Sequence, residues 1–499
     1  MPAPHMSPDE FRRQGYRMID WIADYWQNVE QLPVSAQVQP GDVMAKLPTQ
    51  PPKIGIGAAT QDASTQRDSW DDIFQDVCDV VGPGLMHWQH PSFFGYFPCN
   101  TSGPSVLADL LSAGLGVQGM LWNTSPALTE IETRMLDWCA HMYGLPDRFL
   151  STSTAGGGVI QGTASEATLV AMLAARSKLP REKQPLACVY TSAQAHSSIV
   201  KAAMIAGIAD SPDDRRRLRL IDTDRNLRLD AAALRRAIDQ DIANGLAPAF
   251  VCAAMGTTST GAFDPVDDIA AALDGLPHRP WLHVDGAWAG VALVCPEHRD
   301  IARGIERSDS LCINTHKWML TNFDCDLMWT ADRAALIGAL SITPEYLRNK
   351  ATEAGEVIDY RDWQIELGRR FRALKLWFVI RHYGTDGLRA FIQSHVDMAA
   401  WLEAKLIADD RFEIVQPRSL SLVTFRVAAG DDATREVLDR LNASGSAYCT
   451  HTVVPDADGE PRYTIRVAIG ATNTEHRHVE ALWQQLDRLT AEVLGTLSV

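Results

Sequence analysis

Residues 281–287 read Trp281-Leu282-His283-Val284-Asp285-Gly286-Ala287, and residues 311–318 read Leu311-Cys312-Ile313-Asn314-Thr315-His316-Lys317-Trp318. Each begins as a short apolar run and ends on polar residues, the pattern of a strand buried on both faces. Two further runs, Leu186 to Tyr190 and Ala249 to Met255, repeat it, and amphipathic stretches such as Ser197 to Ala206 and Asp230 to Ile242 lie between the runs. Apolar strands alternating with helices predict an α/β fold, a mainly parallel sheet flanked by helices. Ligands in that architecture sit at the carboxyl ends of the strands, so the polar residues there are the first candidates for chemistry.

Outward from the sheet, a long helical region after Arg372 leads to two alternating segments, Leu420 to Val427 and Tyr463 to Ile469, and a last helix around Val479 to Val493. This predicts a small α+β domain. At the other end, Ser7-Pro8-Asp9-Glu10 supplies an N-cap hydroxyl, a proline at the first helical position and a carboxylate three residues on, so a helix is predicted to start there. Its stripe of Phe11, Met18, Ile22, Tyr25, Trp26 and Val29 calls for burial, on its own domain or on a partner subunit. The polar segment Ser341 to Asp359, with Pro344 and Gly355, reads as a lid.

The chain has 499 residues and a formal net charge of −16, and its densest basic run, Arg215 to Arg217, adjoins Asp213 and Asp214. Neither nucleic acid nor an acidic membrane is an expected partner. The nine cysteines include no Cys-x-x-Cys pair and mostly sit in apolar stretches, which predicts reduced core thiols in a cytoplasm. Asp9, Glu10 and Arg12 interrupt any secretory apolar run, and no span of 18 apolar residues occurs, so neither export nor a membrane span is expected.

Lys317, just past a strand and flanked by apolar and aromatic residues, is a candidate nucleophile toward an aldehyde; alone it would read as a surface lysine. Asp285 ends another strand, where a carboxylate can hold a pyridine nitrogen protonated, cap a helix or bind a metal. The metal reading is weak, because no second acid or histidine follows at ligand spacing. The run Gly156-Gly157-Gly158-Val159-Ile160-Gln161-Gly162-Thr163-Ala164-Ser165 precedes a helix expected over Glu166 to Ala175 and offers backbone N–H groups and hydroxyls to a phosphate. Threonine after Gly162 removes the nucleoside triphosphate reading, which needs lysine there. His196 could lie against an aromatic ring or cap the next helix, and by itself the cap is favoured.

Together these features meet the requirements of pyridoxal 5'-phosphate, and their order resembles the group II pyridoxal-phosphate decarboxylases, most closely the aromatic L-amino-acid decarboxylases. The matching segments include His90-Pro91 with Phe93 to Pro98, Gly158 to Leu169, Gln194 to Ser198, Trp281 to Gly290, His316-Lys317-Trp318 with Asn322 to Cys325, and Asp359-Tyr360-Arg361. The resemblance implies the type I, aspartate aminotransferase-like fold. It divides the chain into an N-terminal helical dimerisation segment (1–102), a large cofactor domain (103–374) and a small C-terminal domain (375–499), in a homodimer with the active site at the subunit interface.

Residue by residue, the resemblance makes Lys317 the lysine that bonds the cofactor aldehyde, Asp285 the partner of the ring nitrogen and His196 the group stacked on the ring. Ala164, Ser165 and Asn314 would bind the phosphate end, Thr258 would contact the cofactor and Ala287 would pack beneath it. Tyr346 stands where decarboxylases of the family carry a tyrosine proton donor and the related aromatic aldehyde synthases carry phenylalanine. Trp88, Tyr96, Phe97 and Pro98 would wall an aromatic side chain, and Gly368 would leave room for a bulky ring. The chain departs from the family pattern at Cys99 near the substrate carboxylate, at Gln118 and Met120 on the partner-facing rim, and at Gly286 and Thr315. The implied activity is decarboxylation of an aromatic L-amino acid to the arylalkylamine. The alternatives are an aromatic aldehyde synthase, a decarboxylase of glutamate, diaminobutyrate or histidine, an aminotransferase and a non-catalytic scaffold.

Overall fold

The structure is a computed structural model that describes residues 5–52, 55–56, 69–342, 357–456 and 459–497. Its centre is a seven-stranded sheet formed by β1 (Gly157–Gln161), β2 (Ala187–Ser192), β3 (Leu218–Ile221), β4 (Ala247–Ala254), β5 (Trp281–Asp285), β6 (Ser310–Asn314) and β7 (Asp326–Thr330). The spatial order is β1-β7-β6-β5-β4-β2-β3. Only β7 opposes its neighbours: it is antiparallel to both β1 and β6, and the pairs from β6 across to β3 are parallel. Six strands therefore end at the same edge. Every residue of β1, β2, β4, β5, β6 and β7 is buried, as unbroken apolar runs require of a sheet covered on both faces.

The triglycine run reads differently in the structure. Gly157 and Gly158 lie inside β1, paired with Thr330 and Trp329, and are not part of a phosphate loop. A Cβ on Gly158 would meet Trp329 at 2.9 Å, so close packing under the sheet accounts for the glycine there. The loop is Gly162-Thr163 alone, and the helix after it begins at Ala164, two residues before the expected start.

Beyond the sheet, the helix Arg372–Ile407 breaks its geometry at Gly384 and carries the chain into a second, antiparallel sheet. That sheet is ordered β10-β11-β9-β8, from β8 (Phe412–Ser419), β9 (Leu422–Val427), β10 (Thr450–Pro455) and β11 (Pro461–Ala468). The helices Asp431–Ala443 and His476–Leu497 pack against each other. The apolar interior has two clusters, a large one around the first sheet and a smaller one that includes Phe94, Leu402, Phe425, Val467 and Leu486. Phe94 places the loop before residue 100 in the smaller core.

The N-terminal helix runs Pro8–Asn28, capped by Ser7 Oγ, which accepts from the Glu10 N–H at 3.1 Å. No residue of this helix is buried in the single chain, and Phe11 and Tyr16 are 60% and 63% exposed. The expectation of burial on its own domain is thus not met for those side chains. The helix Gly103–Leu115 likewise leaves Leu107, Leu110, Leu111 and Leu115 exposed.

Candidate active site

Five strand ends converge on one cavity of about 240 Å³. Thr163, Ala164 and Ser165 follow β1, His196 follows β2, Gly256 to Thr258 follow β4, Asp285 and Ala287 mark the end of β5, and Asn314 and Lys317 that of β6. All eight residues proposed from sequence to hold a cofactor line this space.

The local bonds fix their positions. Asn314 Oδ1 accepts from the Ala164 N–H at 3.2 Å and ties the helix start to the end of β6. Asp285 Oδ1 accepts from the Ala287 N–H at 3.0 Å. His196 Nδ1 lies 2.8 Å from Ser198 Oγ and accepts from the Ser198 N–H at 3.2 Å. The ring thus accepts from the start of the following helix, as the capping reading expects, and it also lines the cavity. A proton on the neutral ring belongs on Nε2, because Nδ1 is the acceptor. Burial lowers the pKa of the Lys317 amine from its ordinary value, opposed by the Asp285 charge, and makes the amine more available as a nucleophile.

Gly286, one of the departures from the family pattern, is closely packed: a Cβ there would meet Met255 Cε at 2.6 Å and Cys312 O at 3.1 Å. Beneath Lys317 runs an aromatic column. Phe97 stacks on Trp288 at 4.3 Å, Trp288 on Trp318 at 5.7 Å, and Trp318 Nε1 donates to His395 Nδ1 at 2.9 Å. The Lys317 amine sits 5.5 Å from the Phe97 ring centroid.

A second, wider space of about 1010 Å³ opens from the same lysine. Trp88, Tyr96, Phe97, Pro98 and Cys99 line it, with Trp88 stacked on Tyr96 at 5.4 Å. Burial raises the Cys99 thiol pKa, so a neutral S–H faces the opening. The opposite wall is one the sequence reading missed: Tyr448, Thr450, His451 and Arg466. Tyr448 stacks on Phe93 at 5.6 Å, and its phenol lies 3.4 Å from that of Tyr96. Arg466 is 4% exposed. Its Nε donates to Ser259 O, and its Nη1 to Tyr96 O and Thr450 Oγ1, while Nη2 has no partner among the described residues. Burial lowers its pKa to about 10, the expected direction for a cation without a carboxylate beside it. The signal was present as a lone charge inside the apolar run Tyr463 to Ile469.

Gln118, Met120 and Gly368 lie outside both spaces. They gather elsewhere: Gln118 Oε1 accepts from the Arg369 N–H at 2.6 Å, a Cβ on Gly368 would meet Gln118 Nε2 at 3.0 Å, and Met120 O accepts from the Arg361 N–H. Tyr346 lies outside the described residues, as does most of the segment read as a lid.

Residues 52–428 match the pyridoxal-dependent decarboxylase conserved domain. The chain belongs to the pyridoxal-dependent decarboxylase family. It is 42% identical to tryptophan decarboxylase 2 of Oryza sativa subsp. japonica, over 99% of this chain and 97% of that one. It is 43% identical to phenylacetaldehyde synthase of Arabidopsis thaliana, over 96% and 95% of the two chains. The crystal structure of Oryza sativa TDC with PLP and tryptamine is similar over 98% of this chain and 99% of that chain, with a TM-score of 0.91 and 38% identity.

The donor set of this decarboxylase fits pyridoxal phosphate. Hydroxyls and a helix N-terminus suit its phosphate, an amine suits its aldehyde, and a carboxylate suits its ring nitrogen. Among the described residues, no group of three or more His, Cys, Asp or Glu is arranged to hold a metal ion.

Proposed function

We propose that this decarboxylase converts an aromatic L-amino acid, of the tryptophan, 5-hydroxytryptophan, DOPA, tyrosine or phenylalanine type, to its arylalkylamine and carbon dioxide. The observation that carries the reading is the opening shared by two walls at Lys317: the cofactor-fitting residues on one side and an aromatic lining with a buried arginine on the other. Bound pyridoxal phosphate supplies an electron sink for the bond that breaks. Lys317 would hold the cofactor through its amine, Asp285 would keep the ring nitrogen protonated, Thr163, Ala164, Ser165 and Asn314 would hold the phosphate, and Thr258, Ala287 and His196 would contact the ring. Arg466, which lines the same space, brings a positive charge to the substrate carboxylate, and Trp88, Tyr96 and Phe97 wall the substrate side chain.

Assays of carbon dioxide release from aromatic amino acids, glutamate, diaminobutyrate and histidine test the substrate class. Turnover confined to the aromatic set supports it, and preference for glutamate or histidine overturns it. The second reading, an aromatic aldehyde synthase, draws on the likeness to phenylacetaldehyde synthase. Tyr346 argues against it, because a phenol at the position where the family's decarboxylases carry their tyrosine can return a proton to the substrate carbon. Tyr346→Phe is expected to turn amine formation toward aldehyde, ammonia and peroxide, with dioxygen consumed, and an unchanged amine yield would reject the role.

The exposed leucines of the helix Gly103–Leu115, with Phe11 and Tyr16, supply an apolar surface for a second copy. Gln118 and Met120 follow that helix directly, so a homodimer carries them to the partner's opening. The segments 1–102, 103–374 and 375–499 then act as dimer arm, cofactor domain and small domain. The nine free cysteines accord with a reducing cytoplasm.

A further inference from the structure

Behind Asp285, on the side away from the opening, a line of buried polar side chains crosses from β5 to β6. Trp281 Nε1 donates to Ser310 Oγ at 2.7 Å, and Ser310 Oγ lies 2.8 Å from His283 Nδ1. His283 Nε2 lies 3.7 Å from Cys312 Sγ, and Cys312 Sγ lies 4.0 Å from Asp285 Oδ1. His283, Ser310 and Cys312 are all 0% exposed. The pairing of β5 with β6 sets the line, placing Ser310 across from His283 and Cys312 across from Asp285.

The direction of the protons follows from valence. An indole N–H only donates, so Ser310 Oγ receives it and keeps its own O–H to give. If the hydroxyl donates to His283 Nδ1, the neutral ring carries its proton on Nε2 and gives it to Cys312 Sγ. The thiol is then free to donate S–H to Asp285 Oδ1. In this arrangement each of the four donors has an acceptor and the line ends on a carboxylate. The reverse tautomer spends the His283 proton on Ser310 and the Cys312 proton on His283, which leaves Asp285 without the thiol. Burial keeps the imidazole neutral, with its pKa lowered to about 4, and keeps Cys312 as a thiol.

We propose that Cys312, oriented by His283 and Ser310, is a positioning residue for Asp285. Together with the Ala287 N–H it occupies Oδ1 and turns Oδ2 toward the ring nitrogen of the cofactor. The inference rests on the assignment of Asp285 to that nitrogen. It makes the identity of residue 312 a control on the cofactor's proton affinity, exerted without contact with cofactor or substrate.

The test compares Cys312→Ala, Cys312→Ser, His283→Phe and Asp285→Asn as holoenzymes, by the absorption spectrum of bound pyridoxal phosphate across pH and by steady-state kinetics. Cys312→Ala is expected to move the spectral midpoint by about half a pH unit, a threefold change in proton affinity. It is also expected to lower kcat roughly three- to fivefold with KM little changed, the scale of one weak hydrogen bond. Cys312→Ser, which keeps a donor, returns both readouts to within about twofold of the parent. His283→Phe combined with Cys312→Ala is expected to add nothing to Cys312→Ala, because the two act through one line. A midpoint and kcat unchanged in Cys312→Ala overturn the proposal when Asp285→Asn still disturbs both. If Asp285→Asn also leaves the spectrum and cofactor retention unchanged, the assignment of Asp285 itself fails. Equal losses in Cys312→Ala and Cys312→Ser, with no spectral movement, indicate a packing role and overturn the proposal as well.

Discussion

The cofactor wall and the outer mouth of the Lys317 opening are assembled from very different lengths of chain. Along the wall, Ala164, Asp285, Asn314 and Lys317 each sit at a strand end or within a few residues of one. At the mouth, the Tyr96 phenol meets that of Tyr448 across 352 residues, and Arg466 Nη1 donates to Tyr96 O across 370. The wall is held by a rigid parallel sheet. The mouth depends on the antiparallel sheet keeping its place against the loop before residue 100, and Phe94 of that loop lies in the smaller apolar cluster. Under the proposed function, chemistry sits on the first sheet and selectivity where the antiparallel sheet meets it, a division that lets the second vary without disturbing the first.

Mutations on the two sides should break this comparison in different ways. The largest effect belongs to the wall: Lys317→Ala should lower kcat/KM by at least roughly a thousandfold, with the covalent cofactor signal lost on borohydride reduction. At the mouth, Arg466→Met should raise KM roughly 10- to 100-fold, the scale of a lost charged hydrogen bond, while the cofactor spectrum stays that of the parent. A change in that spectrum would show that the two sides are not separable. On the rim, Gln118→Leu should change the KM ratio between two aromatic substrates by only about two- to fivefold. Sedimentation of parent and variant should give the same assembly, a dimer under the proposed function.

The smallest expected effect is on the fold. Burial lowers the pKa of His283 to about 4 and of His316 and His395 to about 3. Between about pH 6.5 and pH 4 the unfolded chain takes up protons at these positions that the folded chain refuses. Their contribution is therefore present above about pH 6.5 and is lost as pH falls through that window. The apparent Tm of the holoenzyme should fall steadily from pH 7 to pH 4.5, and His395→Phe should flatten part of the slope.

The same division explains what the sequence made legible. Asp285 and Lys317 could be read because a strand buried on both faces is a mostly apolar run, and both lie within a few residues of where such a run gives way to polar residues. β1 was misread because glycines carry no side chains to show a strand, and only Trp329 and Thr330 across the ladder reveal one. β8 was missed because Pro417 and the half-exposed pattern over Phe412–Ser419 obscure its alternation. Tyr448 was beyond reach as a site residue, and the lone charge of Arg466 inside an apolar run marks a buried cation without saying that Tyr96 will be its neighbour. Gln118 and Met120, assigned to a partner-facing rim, and Gly368, assigned to ring selectivity, line neither of the two spaces at Lys317.

The central claim is that the two sides of the opening act on one substrate. Its most direct test is to incubate the purified holoenzyme with carboxyl-labelled tryptophan, DOPA, tyrosine and phenylalanine and to measure labelled carbon dioxide and amine together. One carbon dioxide released per amine formed, with at least one of these substrates, is the predicted result. No labelled carbon dioxide from any of them would contradict it.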